Sequence, residues 1–247
     1  MKRKISLVLV LALGLSMGVA NADFTFGEPT NLGPTVNSSS RDSGPSISAD
    51  GLSLFFHSTR PGGFGERDLC VATRRTVSES FGNPVNLGPI INSSAKDAQP
   101  NLSSDGLSLF FHSDRSGGSG AQDLWVTRRK TRNDSWGEPV NLGSTVNSST
   151  GDWAPDISPD GFTLYFGSDR SGGIGDTDLW QVSITPVVDF NGDGIVDAAD
   201  MCIMVDHWHT DYPLCDIGPM PWGDGIVDVQ DLIVLAEHLF EVIPPVE

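Results

Sequence analysis

From residue 24 to residue 186, the apolar residues occur in short β-rich runs, such as "LSLFFHS" at 52–58, and no segment shows a 3.6-residue helical period. Aspartate-glycine pairs, which are signals for hairpin turns, occur at 50–51, 105–106 and 160–161. After residue 187 the pattern changes, and two apolar stretches with helical spacing follow loops rich in aspartate. The chain is therefore predicted to be mostly β, with a small helical domain at its end.

The β-rich part is a repeat of 55 residues that occurs three times without gaps. "FGEPTNLGPTVNSSS" (26–40) recurs at 81–95 and 136–150, and "PSISADGLSLFFHSTRPGGFGERDLC" (45–70) recurs at 100–125 and 155–180. Each unit predicts four short strands, at "PSIS", "LSLFFHS", "DLCVATR" and "PVNLG". Repeats of this length are typical of one supersecondary unit stacked several times, here a propeller blade.

The third copy, "SPDGFTLYFGSDRSGGIGDTDLW", resembles the WD-like repeat of TolB-type β-propellers, and the resemblance covers about residues 24–186. It implies a blade-based platform that binds proteins or glycans, usually without chemistry of its own. The chain departs from this pattern in its number of blades, because closed propellers have four to eight and this chain has three copies.

The chain starts with a fourth-strand sequence, "FGEPTNLG", and leaves the repeats after a third strand, "DLWQVSI". A ring in which the N-terminal strand completes the last blade would have this permutation. Two copies of the chain would supply six blades, which predicts a homodimer. The alternative is a monomeric arc or compact unit of three blades, with its edges blunted by loops.

Several polar residues recur in phase in the three copies, which favours structural roles because a catalytic group is needed only once. The aspartates are expected to cap turns or to pair with the equally repeated arginines. They are Asp50, Asp105 and Asp160; Asp68, Asp123 and Asp178; and Arg60, Arg115 and Arg170. His57 and His112 are equivalent, but Gly167 replaces them in the third copy, so they are expected to face a central channel or a neighbouring blade.

The N-terminus resembles a signal peptide, with a basic start at 2–4, an apolar run at 5–15 and a small-residue cleavage site at 20–22. An uncleaved anchor is the alternative. Cleavage after residue 22 removes three basic residues and changes the formal charge from −17 to −20. A surface this acidic argues against nucleic acids and anionic membranes as partners. We expect an extracellular protein, attached to a cell surface or free.

The segment "DFNGDGIVDAAD" (189–200) has the alternation of a twelve-residue calcium loop. Oxygen ligands for Ca²⁺ are expected at loop positions one, three, five, seven (a backbone carbonyl), nine and twelve. These are Asp189, Asn191, Asp193, Ile195, Asp197 and Asp200. A helix is predicted from about residue 198 to residue 208. Residues 189–247 contain thirteen Asp and Glu and no Lys or Arg, so this region either stays solvated and loose or has a cation to hold.

A second loop and helix follow at 223–240, where "GDGIVDVQDLIVLAEHLF" repeats the first copy. Its expected calcium ligands are Asp224, Ile226, Asp228 and Asp231. Counting back from Asp224 places Met220 and Trp222 at positions one and three, where neither offers an oxygen. Asp216 could substitute if the loop carries an insertion through "GPMPW".

Two loop–helix copies with Asp at position twelve resemble the EF-hand-like dockerin domain, over about residues 187–242, with 243–247 as a tail. The resemblance implies calcium-dependent binding to a cohesin-domain protein. It also implies partner contacts from loop positions ten and eleven, which are Ala198, Ala199, Val229 and Gln230. The long connector between the helices departs from a regular dockerin. Cys202 lies on the first helix and Cys215 in the connector, and they could form a disulfide; alternatively, one is a helix-core thiol and the other is incidental.

Two functions follow from these modules. The first is a secreted, non-catalytic binding protein, in which the propeller recognises a glycan or protein and the dockerin attaches it to a cohesin, in polysaccharide degradation. The second is a carbohydrate-active enzyme with paired carboxylates in the repeat loops. Glu66, Asp152 and Asp176 are candidates. An envelope-associated TolB-like subunit is a third alternative.

Overall fold

The computed structural model describes residues 27–218, 223 and 225–243, so the signal segment 1–22, Asp224 and most of the tail lie outside the described residues. Residues 27–31 contain no helix or strand and belong to a different compact unit from the chain that starts at Leu32. In the described part of the chain, no helix is long and apolar enough to cross a membrane.

Each of the three repeats forms one antiparallel sheet, with its strands in sequence order. The first sheet consists of β1 (Asp42–Ile47), β2 (Ser53–Ser58), β3 (Asp68–Thr73) and β4 (Val85–Asn86). The second consists of β5 (Asp97–Leu102), β6 (Ser108–Ser113), β7 (Asp123–Arg128) and β8 (Val140–Asn141). The third contains β9 (Asp152–Ile157), β10 (Thr163–Ser168) and β11 (Asp178–Ser183), with no fourth strand among the described residues.

The predicted strands are therefore confirmed in all three repeats, and two of the sheets have the predicted four strands. The N-terminal segment differs from the prediction, because residues 27–41 contain no strand. Its counterparts β4 and β8 become strands by pairing with β3 and β7. No described third strand pairs with the N-terminal segment, so its backbone has no ladder to join.

The sheets stack as an open row, in which the first packs on the second and the second on the third. Among the described strands, the first and third sheets do not touch. Alternating side chains of the second sheet supply both cores: Leu109 and Phe111 pack against Phe55 of the first sheet, and Phe110 packs against Leu164 of the third. The repeats therefore form an arc and not a closed three-blade ring.

A buried arginine–aspartate clasp recurs in every repeat and ties each second strand to the segment before its first strand. In the second repeat, Arg115 donates to a carboxylate oxygen of Asp97 and to the backbone carbonyl of Ile91, and its Nε donates to Ser113 Oγ. The Asp97 side chain is fully buried and also accepts the backbone N–H of Ser93. The equivalent pairs are Arg60–Asp42 and Arg170–Asp152.

The clasp corrects the predicted partners of the repeated arginines. Asp50 instead caps its hairpin turn by accepting the Leu52 backbone N–H at 2.9 Å, as predicted. Asp68 holds the glycine-rich loop by accepting the Phe64 and Gly65 N–H groups. The arginines take the aspartates at the start of each first strand, because those carboxylates lie beside the end of the second strand across the antiparallel pair.

Replacing Arg115 with Met should strongly destabilise the sheets, because it leaves the buried Asp97 carboxylate without its counter-charge. We expect the free energy of unfolding to fall by about 3–5 kcal/mol in chemical denaturation. The control is Arg75→Met, which breaks an exposed pair with Glu79 and should cost less than about 1 kcal/mol. Equal losses in the two variants would contradict a structural role of the clasp.

The open edge of the third sheet exposes a residue whose counterparts are buried. Leu179 on β11 is 90% exposed, whereas the equivalent Leu69 and Leu124 are fully buried. Asn92 and Asn147, from the segments that follow β4 and β8, bond to the backbone of those two leucines. Asn37 is the equivalent of both. We propose that the segment around Asn37 of a second copy covers Leu179, so that two chains complete a six-blade ring.

Light scattering on the full chain at micromolar concentration should therefore give twice the mass of the monomer. Leu179→Lys should yield monomers, because the lysine would be buried against the partner copy. Val140→Lys is the matched control. Val140 is 62% exposed and its counterpart Val85 is 64% exposed, so the exposure of Val140 is normal for its position and does not indicate a missing neighbour. A monomeric parent protein would overturn the dimer.

Candidate calcium-binding module

The two helices begin at the predicted loops and carry identical N-terminal caps. α1 spans Ala198–Asp206 and α2 spans Val229–Glu237. The Asp197 carboxylate accepts the Ala199 N–H at 2.7 Å, and the Asp200 carboxylate accepts the Asp197 N–H at 2.9 Å. Asp228 and Asp231 form the same capping box on α2. The predicted starts are confirmed, and α1 ends two residues before the predicted boundary at 208.

In the first loop, aspartate carboxylates accept hydrogen bonds from backbone N–H groups of the same loop. The Asp189 carboxylate accepts the Gly192 and Gly194 N–H groups, each at 2.8 Å, and the Asp193 carboxylate accepts the Ile195 N–H at 2.9 Å. Gly194 has a φ of +87°, a left-handed conformation that favours glycine. The predicted position of a sharp turn is therefore confirmed.

Asp200, at loop position twelve, connects the start of the loop to the helix. Its side chain is fully buried, and one of its oxygens accepts the Phe190 and Asn191 N–H groups. Its other oxygen accepts the Asp197 N–H of the capping box. One carboxylate therefore holds both ends of the twelve-residue loop.

The donor set of this loop matches Ca²⁺ in chemistry, since every predicted ligand offers oxygen. The structure does not bring the carboxylates together, however. Among the described residues, no group of three or more His, Cys, Asp or Glu is placed to hold a metal ion. The loop carboxylates are directed at backbone N–H groups instead. Binding an ion would require some of them to exchange these hydrogen bonds for the cation.

The second loop contains the same hydrogen-bond frame, interrupted by four inserted residues. Asp216 accepts the Gly225 N–H at 2.9 Å, as Asp189 accepts that of Gly194. Asp231 accepts the Ile217 and Gly218 N–H groups, as Asp200 accepts those of Phe190 and Asn191. The first loop contains twelve residues, from 189 to 200, and the second contains sixteen, from 216 to 231. Residues 219–222 are therefore the insertion.

These hydrogen bonds favour the frame in which Asp216 takes position one of the second loop; Met220, at position one of the other frame, lies outside the described residues. Gly218 takes position three, so this loop lacks one side-chain oxygen of the first. Asp224 lies outside the described residues, and Ile226 and Asp228 follow at their expected positions. Burial raises the pKa of Asp231.

The two loops pair reciprocally with the chain that follows the opposite helix. Val196 of the first loop exchanges backbone hydrogen bonds with residues 240–241, after α2. Val227 of the second loop does the same with residues 209–210, after α1. Both valines are fully buried in one core with Met204 and Leu235. Neither half can therefore fold as seen here without the other.

The predicted disulfide is absent from this structure, in which Cys202 and Cys215 are both free thiols. Cys215 is fully buried in the core of the module, and burial raises the pKa of its thiol to about 11. Cys202 is exposed, because α1 directs Asp200 and Met204 toward the interior. The alternative of a helix-core thiol does not describe this structure either, because the buried thiol is Cys215 of the connector and Cys202 on the helix is exposed.

The four residues predicted to contact a partner are exposed at the starts of the two helices. They are Ala198 and Ala199 on α1, and Val229 and Gln230 on α2. Ile195 and Ile226, the seventh positions of the two loops, are also about half exposed, at 46% and 50%. The motif predicts the first four; for the two isoleucines it predicts only a ligand role of their backbone carbonyls, and it does not indicate that their side chains are exposed.

Calcium titration calorimetry on the full chain should reveal two sites. Asp193→Ala should weaken the first site at least about tenfold, and Asp216→Ala the second, because each removes a carboxylate ligand. Asp206→Ala, at the exposed end of α1, is the control and should change neither. If Asp216→Ala left the second site intact, the assignment of Asp216 to position one would be wrong.

The chain matches no protein-family model and no curated protein sequence. Among solved structures, it is similar to TolB from Acinetobacter baumannii, with 16% identity over 57% of this chain and 29% of that one, at a TM-score of 0.40. It is also similar to a putative TolB from Agrobacterium tumefaciens, with 20% identity over 60% of this chain and 47% of that one, at a TM-score of 0.42. It is also similar to an α-L-arabinofuranosidase from Lactobacillus brevis, with 11% identity over 61% of this chain and 56% of that one, at a TM-score of 0.40. The chain thus spans less than two thirds of each of these structures.

Proposed function

We propose that this chain is an exported, non-catalytic binding protein made of two working parts. The propeller-type sheets recognise a glycan or another protein. The two-loop module binds calcium and docks the chain onto a cohesin-domain protein at a cell surface or in the medium, as part of polysaccharide degradation. The observation that carries the proposal is the hydrogen-bond frame of the first loop, which the second loop repeats across a four-residue insertion.

Electrostatics supplies the reason for calcium. Residues 189–247 contain thirteen acidic residues and no Lys or Arg, so their carboxylates repel one another. The module has only two nine-residue helices and one small core, which leaves its stability dependent on further interactions. A cation that binds the folded form at a hundred times its dissociation constant adds about 2.7 kcal/mol of stability. Calcium binding and folding of the module are therefore linked.

The exposed helix starts form the proposed docking surface. In each copy, loop positions seven, ten and eleven lie next to the capping box, and the box holds them in place through Asp200 or Asp231. Ion binding at the same carboxylates would set the orientation of these positions. Docking is therefore expected to depend on calcium even though no partner residue needs to touch the ion.

The enzyme alternative receives less support from the geometry. Asp152 is fully buried in the clasp with Arg170, and Glu66 lies 3.4 Å from the Lys96 ammonium. Asp176 lies in the exposed glycine-rich loop before β11. Asp152 and Glu66 are thus each paired with a basic side chain, which leaves Asp176 without a free carboxylate partner among the three candidates for glycoside hydrolysis.

Binding of the full chain to purified cohesin domains should occur in millimolar calcium and disappear with chelator. The Asp193→Ala/Asp216→Ala double variant should bind at least about a hundredfold more weakly, since each carboxylate ligand contributes to calcium affinity. Asp206→Ala should bind like the parent chain.

Two further variants separate docking from calcium binding. Ala199→Arg and Gln230→Arg should retain both calcium sites in calorimetry while weakening cohesin binding. If the parent chain binds two calcium ions but no cohesin domain, the module serves stability alone and the docking role is wrong.

A further inference from the structure

A polar cavity of about 280 Å³ is lined by residues of all three repeats. The side chains that decide its chemistry are His57 on β2, His112 on β6, Arg41, Arg67, Gln99 and Trp153. They come from all three repeats, so the cavity exists only because the sheets stack. Its volume is slightly below the range of ligand pockets for drug-sized molecules, which starts at roughly 300 Å³.

Two buried histidines present unpartnered nitrogens here. His57 and His112 are each 3% exposed, and neither His57 Nε2 nor His112 Nδ1 has a hydrogen-bond partner among the described residues. His57 Nδ1 accepts the Gln99 backbone N–H at 3.2 Å, which places the proton of its neutral ring on Nε2. Nε2 is therefore a buried donor that lacks an acceptor. Such groups are rare and point to a ligand or an unseen partner.

The two rings are neutral at neutral pH. Burial, followed by the charge of Arg67, lowers the pKa of His57 to about 4. Burial, followed by the neighbouring His57 and Arg67, lowers the pKa of His112 to about 4. Each ring consequently offers one donor and one acceptor and carries no charge of its own.

The charge of the cavity comes from Arg41 and Arg67. Neither guanidinium makes a hydrogen bond or ion pair with any described residue. The nearby acids are already engaged: Asp42 by Arg60, Asp97 by Arg115 and Asp114 by Lys96. A chain of net charge −17 thus keeps two uncompensated cations at one cavity, which favours an anionic ligand.

The third repeat changes the cavity wall from imidazole to indole. Gly167 stands where the other repeats have His57 and His112, and Trp153 replaces Ser43 and Ala98. The Trp153 indole lies against Gly167, where an added Cβ would be 2.9 Å from Nε1. The indole thus occupies the space that a third histidine would fill. It places one aromatic group beside two arginines.

The backbone around the cavity is strained. Gln99 and Ala154 have φ values of +50° and +52°, the left-handed conformation in which their counterpart Gly44 has +66°. Residues other than glycine rarely adopt this conformation, and such strain concentrates at functional sites. The register of β5 shifts between Ala98 and Asn101, which is a β-bulge. This bulge brings the Gln99 N–H to His57 and so sets the tautomer of that ring.

We infer that this cavity binds an acidic sugar residue, a uronate. Its carboxylate lies between Arg41 and Arg67 and accepts the His57 Nε2–H, and its ring lies against Trp153. The inference deepens the glycan-recognition part of the proposed function and does not depend on the calcium module. A metal ion is the rival ligand for two neutral histidines. Two guanidinium groups in the cavity wall oppose a cation, and no described cluster of His, Cys, Asp or Glu is placed to hold one.

Calorimetry on the full chain in millimolar calcium tests this with galacturonate, galactose and acetate. Galacturonate should bind at least about tenfold more tightly than galactose, which lacks the carboxylate, and than acetate, which lacks the ring. Arg67→Gln should weaken galacturonate binding at least about tenfold, because a hydrogen bond to a charged group is lost. Arg75→Gln, whose guanidinium lies outside the cavity, should bind as the parent does.

Three results would overturn the inference: equal binding of galactose and galacturonate, equal binding of acetate and galacturonate, or an unchanged affinity of Arg67→Gln. Binding of Zn²⁺ that His112→Gln abolishes, without binding of galacturonate, would assign the cavity to a metal. Thermal unfolding of each variant confirms that it is folded. Loss of uronate binding with calcium and cohesin binding intact would leave the docking proposal standing.

Discussion

Buried carboxylates hold this chain together, because each must be satisfied by donors from more than one segment. Asp97 is satisfied by Arg115 and by the Ser93 N–H, and Asp200 by three N–H groups from the loop and the helix start. A buried carboxylate without such donors would be costly, so each one forces its donor segments into a single arrangement. The repeated sheets and the calcium-type loops use this device in different settings.

In the sheets, the clasp connects segments within each repeat unit. The stacking of one unit on another therefore depends little on the residues at its outer surface. The first and third sheets differ from the second in their packing. The second sheet has a described neighbouring sheet on both sides, whereas the first and third each have one on a single side. Leu179 and Ile47 are exposed because, among the described strands, the second sheet is the only neighbour of the third and first sheets and leaves one face of each uncovered. The same stacking creates the axial cavity, where the repeat pattern is broken by Trp153 and Gly167. Differences between repeats thus accumulate at the one place that all three sheets share.

In the helical module, the frame of hydrogen bonds tolerates an insertion that disrupts the motif. Four extra residues at 219–222 move Asp216 away from its expected spacing, and its hydrogen bond to Gly225 is retained. The motif spacing predicts the first loop, and counted back from Asp224 it places Met220 at position one of the second, whereas the hydrogen bonds of Asp216 favour Asp216 there. Only the contacts of Asp216 and Asp231 decide between the two frames. The Cys202–Cys215 bond failed for a related reason, since proximity along the connector does not determine which face of α1 a residue occupies.

Local chemistry made much of the fold predictable from the sequence by itself. Turns at aspartate-glycine pairs, strands in alternating runs and helix starts at Asp197 and Asp228 involve residues within a few positions of one another. The 55-residue spacing likewise determined that three equivalent units follow one another. The tertiary structure alone decided which aspartate each arginine takes, that the three sheets stay open, and that His57, Arg67 and Trp153 surround one cavity. Those relations join residues that are far apart in the chain, and they depend on how whole sheets pack, which no local pattern encodes.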